Sequence, residues 1–149
     1  MKNFIIFIDS YIIIMSKYRN PALTVDIIIE KDSEIVLIKR KNDPFKGSWA
    51  IPGGFVDYGE TVEHAAVREA FEETSLHVKL ENLVGVYSDP NRDPRGHTVT
   101  IAYTASIKEG FLKADDDACD AEFISIDKLS SISLAFDHNL ILSDAMKYL

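Results

Sequence analysis

The sequence is short of the residues that would tie it to several common protein classes. It has a single cysteine, Cys119, in 149 residues, which excludes an intramolecular disulfide and any metal motif built from paired cysteines. That fits a reducing, cytoplasmic setting. Positive charge is also scarce: 16 Lys and Arg face 24 Asp and Glu, a net charge of -8. A DNA or RNA binder would normally present a basic surface, so nucleic acid is not expected as a partner. Long apolar runs are missing as well. The most hydrophobic stretch, "FIIFIDSYIII" at residues 4 to 14, is interrupted by Asp9 and falls short of the ~20 residues that a membrane span requires.

That apolar segment is read as an N-terminal extension over residues 1–16, with residues 17–149 forming a single domain. Its origin stays open between a start-codon artefact, with Met15 as the native start, and an extra strand or dimer-contact segment. A membrane anchor is the weaker third option. No small-residue cleavage site follows it, so it does not resemble a signal peptide.

What is present reads as one core of mixed elements. "ALTVDIIIE" and "EIVLIKRK" are β-branched runs joined by Lys31-Asp32-Ser33 and predict a hairpin. The Pro- and Gly-containing stretch from Asn42 to Gly54 predicts a loop. Residues 61–74 have helical periodicity with Thr61 as N-cap. Two strands follow, 78–89 and 97–107, flanking the turn-rich "PNRDPRG". A shorter strand is expected at 121–126, and Asp127 and Asp137 each stand where a C-terminal helix would open. The order implies a mixed β-sheet with helices packed on it, an α/β (α+β) fold.

The helix carries "VREAFEET", with Glu69, Glu72 and Glu73 inside one turn. Glu69 and Glu73 lie about 40° apart on the helix surface and Glu72 about 60° to the other side. That face also carries Ala65 and Ala66, and Val67 and Phe71 are expected to point the opposite way, toward the core. Crowding like charges costs ~0.2–0.5 kcal/mol per pair, and the negative end of the helix dipole adds to it. The small alanines would let a ligand approach closely, and a hard divalent cation would supply the missing charge.

Residues Gly54, Glu60, Arg68, Glu69, Ala70, Glu72, Glu73 and Leu76 follow G-x5-E-x7-R-E-U-x-E-E-x-G-U, where U is aliphatic. On these residues the chain resembles the Nudix hydrolases, departing only at Ser75, where the family has glycine. The resemblance implies an α/β/α sandwich with a loop-helix-loop catalytic motif. It implies Mg2+, with Mn2+ as a substitute, held by Glu69, Glu72 and Glu73, with Gly53 counted in the metal set. Arg68 would hold Glu72 in place, while Gly54 and Glu60 would shape the loop. If Ser75 must adopt a left-handed backbone, it costs roughly 1 kcal/mol relative to glycine.

"YSDPNRDPRGHTVTIAY" and "LAFDH" further resemble segments of the short ADP-ribose pyrophosphatases. This implies hydrolysis of ADP-ribose to AMP and ribose 5-phosphate, on a small-molecule nucleoside diphosphate substrate. The alternatives are a nucleoside-triphosphate pyrophosphatase acting on damaged nucleotides, and a non-catalytic ADP-ribose sensor. Relatives are often homodimers. Arg40, Arg92 and Arg95 are the candidate phosphate contacts, since arginine can grip phosphate in a fork geometry. The competing reading for Arg92 and Arg95 is a partner for Asp89 or Asp93 within a tight turn. Phe45 and Trp49 suit either base stacking or packing. Asp117 and Asp120 are candidate additional acids, with a solvated acidic turn as the alternative. His138 is not assigned to catalysis.

Overall fold

The hairpin expected after residue 20 forms the centre of the sheet. In a computed structural model that describes residues 4–8, 11–15, 19–114 and 118–149, strand β3 (Ala22–Lys31) meets β4 (Glu34–Arg40) antiparallel through Asp32 and Ser33. Both turn residues have positive φ, 53° and 62°, as a two-residue turn matched to strand twist requires. Before them, β1 (Phe4–Ile8) and β2 (Tyr11–Met15) pair with each other in a two-stranded sheet and, among the described residues, with no other strand.

Two short strands, β5 (Trp49–Ala50) and β6 (Gly53–Phe55), lead into helix α1 (Val62–Thr74). Thr61 caps α1 by accepting the His64 N–H at 3.1 Å. Strands β7 (Leu76–Tyr87) and β8 (Thr98–Gly110) pair antiparallel, and β8 lies parallel to β3. Strand β9 (Ala118–Ser125) adds to β4. A 3-10 turn follows at Ile126–Ser131, and α2 (His138–Ala145) comes near the end of the chain. The central order is β5-β4-β3-β8-β7, with β6 on β3 and β9 on β4.

The sheet is covered on both faces. Val25, Ile27, Ile29 and Val36 pack with Ala65, Ala66 and Ala70 of α1. Ile28, Ile35 and Leu37 pack with Ile141, Leu142 and Ala145 of α2. Alternation along β3 thus sends successive residues to opposite layers, giving the expected sandwich. Trp49 takes the packing role, against the α2-side cluster. Among the described residues no helix is long and apolar enough to cross a membrane.

The facing of α1 differs from expectation at Phe71, while Val67 packs against the core cluster as expected. Ala65, Ala66 and Ala70 are fully buried and Glu73 nearly so, whereas Phe71 is 45% exposed and stacks on His77. The sheet surface here is already bulky with Ile and Val, so the helix approaches closely through its small residues. Glu69 and Glu73 are drawn inward with it, and Glu72 stays exposed.

Candidate active site

The loop before α1 and the helix itself are fastened by one guanidinium. Arg68 donates through Nε and Nη2 to the two oxygens of Glu60, both at 2.9 Å, and through Nη2 to the Phe55 carbonyl at 3.0 Å. Its Nη1 reaches Glu69 at 2.7 Å and Glu72 at 3.0 Å. Glu60 also accepts the Asp57 N–H at 3.1 Å, which closes the loop, and its pKa is held down to about 2, chiefly by Arg68. The expected Arg68–Glu72 contact is present, and Arg68 spans more of the motif than that single pair.

Glu69 and Glu73 take the inner positions. Glu73 accepts the Gly53 N–H at 2.8 Å and its pKa is pushed up to about 8, mainly by burial. Glu69 is likewise raised, by burial first and against the pull of Arg68. Its carboxyl sits so close to Gly54 that a Cβ there would come within 2.4 Å of it. Gly54 is therefore small because a carboxylate lies over it. Glu72, by contrast, is 40% exposed and lies on the Arg68 side.

Glu69 and Glu73 line one face of a cavity of about 410 Å3, along with Gly53, Gly54, Arg40, Arg92 and Arg95, whereas Glu72 is not among its lining residues. The cavity lining includes a buried polar pair, Asp26 and His138, to which sequence reasoning assigned no functional role. Asp26, on β3, is buried with its pKa raised to about 7, first by desolvation, and its Oδ2 has no hydrogen-bond partner. His138 accepts the Ile51 N–H on Nδ1 at 2.9 Å, and its Nε2 lies 3.7 Å from Asp26. Burial lowers its pKa to about 3, so the ring is neutral with its proton on Nε2. One signal for Asp26 was available: a lone carboxylate inside the β-branched run "TVDIII".

The three candidate arginines differ in setting. Arg92 is 5% exposed and donates twice to Asp137, at 2.8 and 2.6 Å, and once each to Thr98 and Thr100 at 3.0 Å. Its tie is to Asp137 of the α2 entry, not to Asp89 or Asp93. Arg95 pairs with Asp93 at 2.7 Å, as the turn reading required, yet remains 43% exposed and lines the cavity. Arg40 donates from Nε to the Pro44 carbonyl at 2.8 Å. Asp120 accepts the N–H of Ala121 at 3.0 Å and is not among the cavity-lining residues, and Asp117 lies outside the described residues.

Among the described residues no three acidic, His or Cys side chains already converge to enclose a metal ion. The donor set nonetheless suits a hard divalent cation. Mg2+ commonly takes only one or two carboxylates and completes its shell with water and substrate phosphate. Glu69 and Glu73 supply two such groups, and burial raises the pKa of each, a cost that a bound cation would offset. The Asp26 Oδ2, which accepts no hydrogen bond and has Arg92 at 3.8 Å, faces the same cavity.

A carboxylate helix behind a double-glycine loop, on a mixed sheet sandwiched by helices, defines a hydrolase of the Nudix class. The NUDIX domain model matches residues 20–145, and the chain belongs to that family. It is 55% identical over 137 residues to an ADP-ribose pyrophosphatase of Methanocaldococcus jannaschii, covering 90% of this chain and 80% of that protein. A bifunctional NMN adenylyltransferase/ADP-ribose pyrophosphatase of Francisella tularensis, crystallised with AMP and a manganese ion, superposes with a TM-score of 0.80 at 27% identity. That match covers 89% of this chain and 43% of the other. The Nudix domain of Shewanella oneidensis NrtR, complexed with ADP-ribose, gives 0.77 at 26% identity, covering 88% and 90%.

Proposed function

We propose that this chain hydrolyses the diphosphate bond of ADP-ribose, with a divalent metal ion, to give AMP and ribose 5-phosphate. One observation carries the reading: a single cavity holds the Glu69 and Glu73 carboxylates together with the guanidiniums of Arg40 and Arg95. Such a surface suits a ligand whose phosphates meet a metal on one side and arginine on the other. The similarity to the M. jannaschii ADP-ribose pyrophosphatase supports the choice of substrate.

In this reading Glu69, Glu72 and Glu73 hold Mg2+, for which Mn2+ can substitute, with Gly53 fixing Glu73 through its N–H. When bound, the metal polarises phosphoryl oxygens and lowers the pKa of a coordinated water. Arg68 and Glu60 keep the helix and loop in register, so the carboxylates are preorganised. Arg40 and Arg95 bind the phosphates. Arg92 supports the cavity wall from beneath, through Asp137 and the two threonines. Residues 17–149 form the catalytic domain, residues 1–16 stand outside it, and the enzyme works in the cytoplasm without a nucleic-acid or membrane partner.

The test is product formation from ADP-ribose beside dGTP, 8-oxo-dGTP and NADH, with Mg2+ and with chelator, for the wild type and Glu73→Gln. AMP and ribose 5-phosphate should appear fastest, only with metal. Glu73→Gln should lose about 100-fold or more in kcat, the scale of one lost charge-stabilising group. Faster cleavage of a triphosphate would replace the substrate, and no turnover with intact ADP-ribose binding would mark a sensor.

A further inference from the structure

Three separate parts of the chain meet at one aromatic ring that lines the cavity. The Phe136 ring centroid lies 4.9 Å from the Arg40 guanidinium carbon and 5.5 Å from that of Arg95. Arg40 ends β4, Arg95 sits in the loop before β8, and Phe136 stands two residues ahead of α2. Each arginine is tethered on its Nε side, Arg40 to the Pro44 carbonyl and Arg95 to Asp93. A tether there fixes the pivot of a guanidinium, and contact with a ring restricts its swing.

The ring itself is held. Phe45 meets it edge-on at 4.9 Å, and His138 lies against it at 5.4 Å. His138 is in turn locked by the Ile51 N–H. Phe136 has φ 54°, in the left-handed region that a bulky L-residue seldom adopts. Strain of this kind persists where surrounding structure enforces it, often beside a ligand. Two cations drawn to one ring also repel each other, while Asp93 pairs with Arg95 and Arg40 lies within electrostatic reach of Glu73. The arrangement is favourable when a ligand with two linked anionic groups bridges them.

We infer that Phe136 is a positioning residue for the substrate's diphosphate: its ring is the common support that sets Arg40 and Arg95 in register for two linked phosphates. The inference rests on the diphosphate reading of the site. It assigns the ring to ligand binding and leaves the chemical step to the carboxylates. The attraction of the π face for each cation is the property required, so an aliphatic residue of similar size fills the space without performing the role.

Binding of α,β-methylene-ADP and of AMP should be titrated with Mg2+ present, for the wild type, Phe136→Leu and Phe136→Tyr, beside steady-state kinetics on ADP-ribose. Phe136→Leu should weaken the diphosphate analogue by about 10-fold and AMP by less than about 3-fold. KM for ADP-ribose should rise in proportion while kcat stays within about 2-fold, and Phe136→Tyr should restore both. Phe55→Leu, which touches Arg95 alone of the two arginines at 5.3 Å, should give an intermediate loss. Equal weakening of both ligands, or matched loss of kcat and thermal stability without rescue by tyrosine, would reduce the ring to packing and overturn the inference. A wild type that does not cleave ADP-ribose but keeps the contrast between the two ligands would refute the proposed function and leave Phe136 in its role.

Discussion

Arg92 and Asp137 form a two-point ion pair, Nη2 to Oδ1 at 2.6 Å and Nε to Oδ2 at 2.8 Å. Asp137 stands at the N-cap of α2, yet its carboxylate caps no backbone N–H because the guanidinium holds it. The pair replaces a local cap with a tie between α2 and the strands.

Breaking that tie should be costly. Arg92→Ala removes the partner of Asp137 and the nearest cation to the buried Asp26, 3.8 Å away. Loss of one partner from a buried pair is expected to destabilise by about 3–5 kcal/mol. Chemical denaturation should show this as a lower midpoint, and a stable variant with only a raised KM would return Arg92 to direct substrate contact.

Metal-free protein should lose stability as pH rises from about 6.5 to 8. Glu73 and Asp26 have folded pKa values raised from 4.5 to about 8 and from 3.8 to about 7, so the folded state binds more protons than the unfolded state in those windows. His138 acts oppositely, because its lowered value withdraws stability as pH falls from 6.5 toward 3. Above 6.5 His138 is neutral in both states, and the buried carboxyls set the slope. Melting curves in chelator should therefore shift down between pH 6.5 and 8, and Mg2+ should reduce the shift. A melting temperature that climbs over this window would contradict the assignment.

The paired glycines should separate fold from function. An added Cβ at Gly53 would lie 2.1 Å from the Val25 carbonyl, a backbone atom that cannot move aside cheaply. At Gly54 it meets the Glu69 carboxyl, the end of a flexible side chain. Gly53→Ala is expected to cost about 1–3 kcal/mol through overpacking. Gly54→Ala should fold normally but displace Glu69 and lower kcat by about 10-fold or more. Equal effects of the two on melting temperature would discredit the steric account.

Ser75 ends α1 with φ 60° and ψ 19°, donating its N–H to the Phe71 carbonyl. The left-handed backbone required of glycine is thus kept by serine. Ser75→Gly should stabilise the protein by about 1 kcal/mol, or ~2–4 °C in Tm, without changing activity. Calorimetry on the two proteins decides it, and a neutral or lower Tm would show that the serine is compensated.

Local elements were legible because each carries its own period or cap: the Asp32-Ser33 hairpin, Thr61 at the head of α1, the β7–β8 pair. The Arg68 clamp was partly legible, since Glu72 stands one turn away, but Phe55 and Glu60 join it through the loop. Phe71 misled because hydrophobicity marks a core face only where the opposing surface has room. Here β3 and β4 fill the space, and the alanines are what fit. The Asp26–His138–Arg92 cluster arises from contacts between distant segments, and nothing in local periodicity specifies them.

The parallel pairing of β3 with β8 has a consequence for the order of events at the ribosome. A nascent chain paused after residue 75 already contains Glu69, Glu72 and Glu73 with their arginine, but β3 still lacks its parallel neighbour β8, and Asp26 lacks Arg92 and His138. Only when the segment through Phe136 and His138 has emerged can the cavity close. Catalytic competence should therefore arrive late in translation, long after the diagnostic helix has been made.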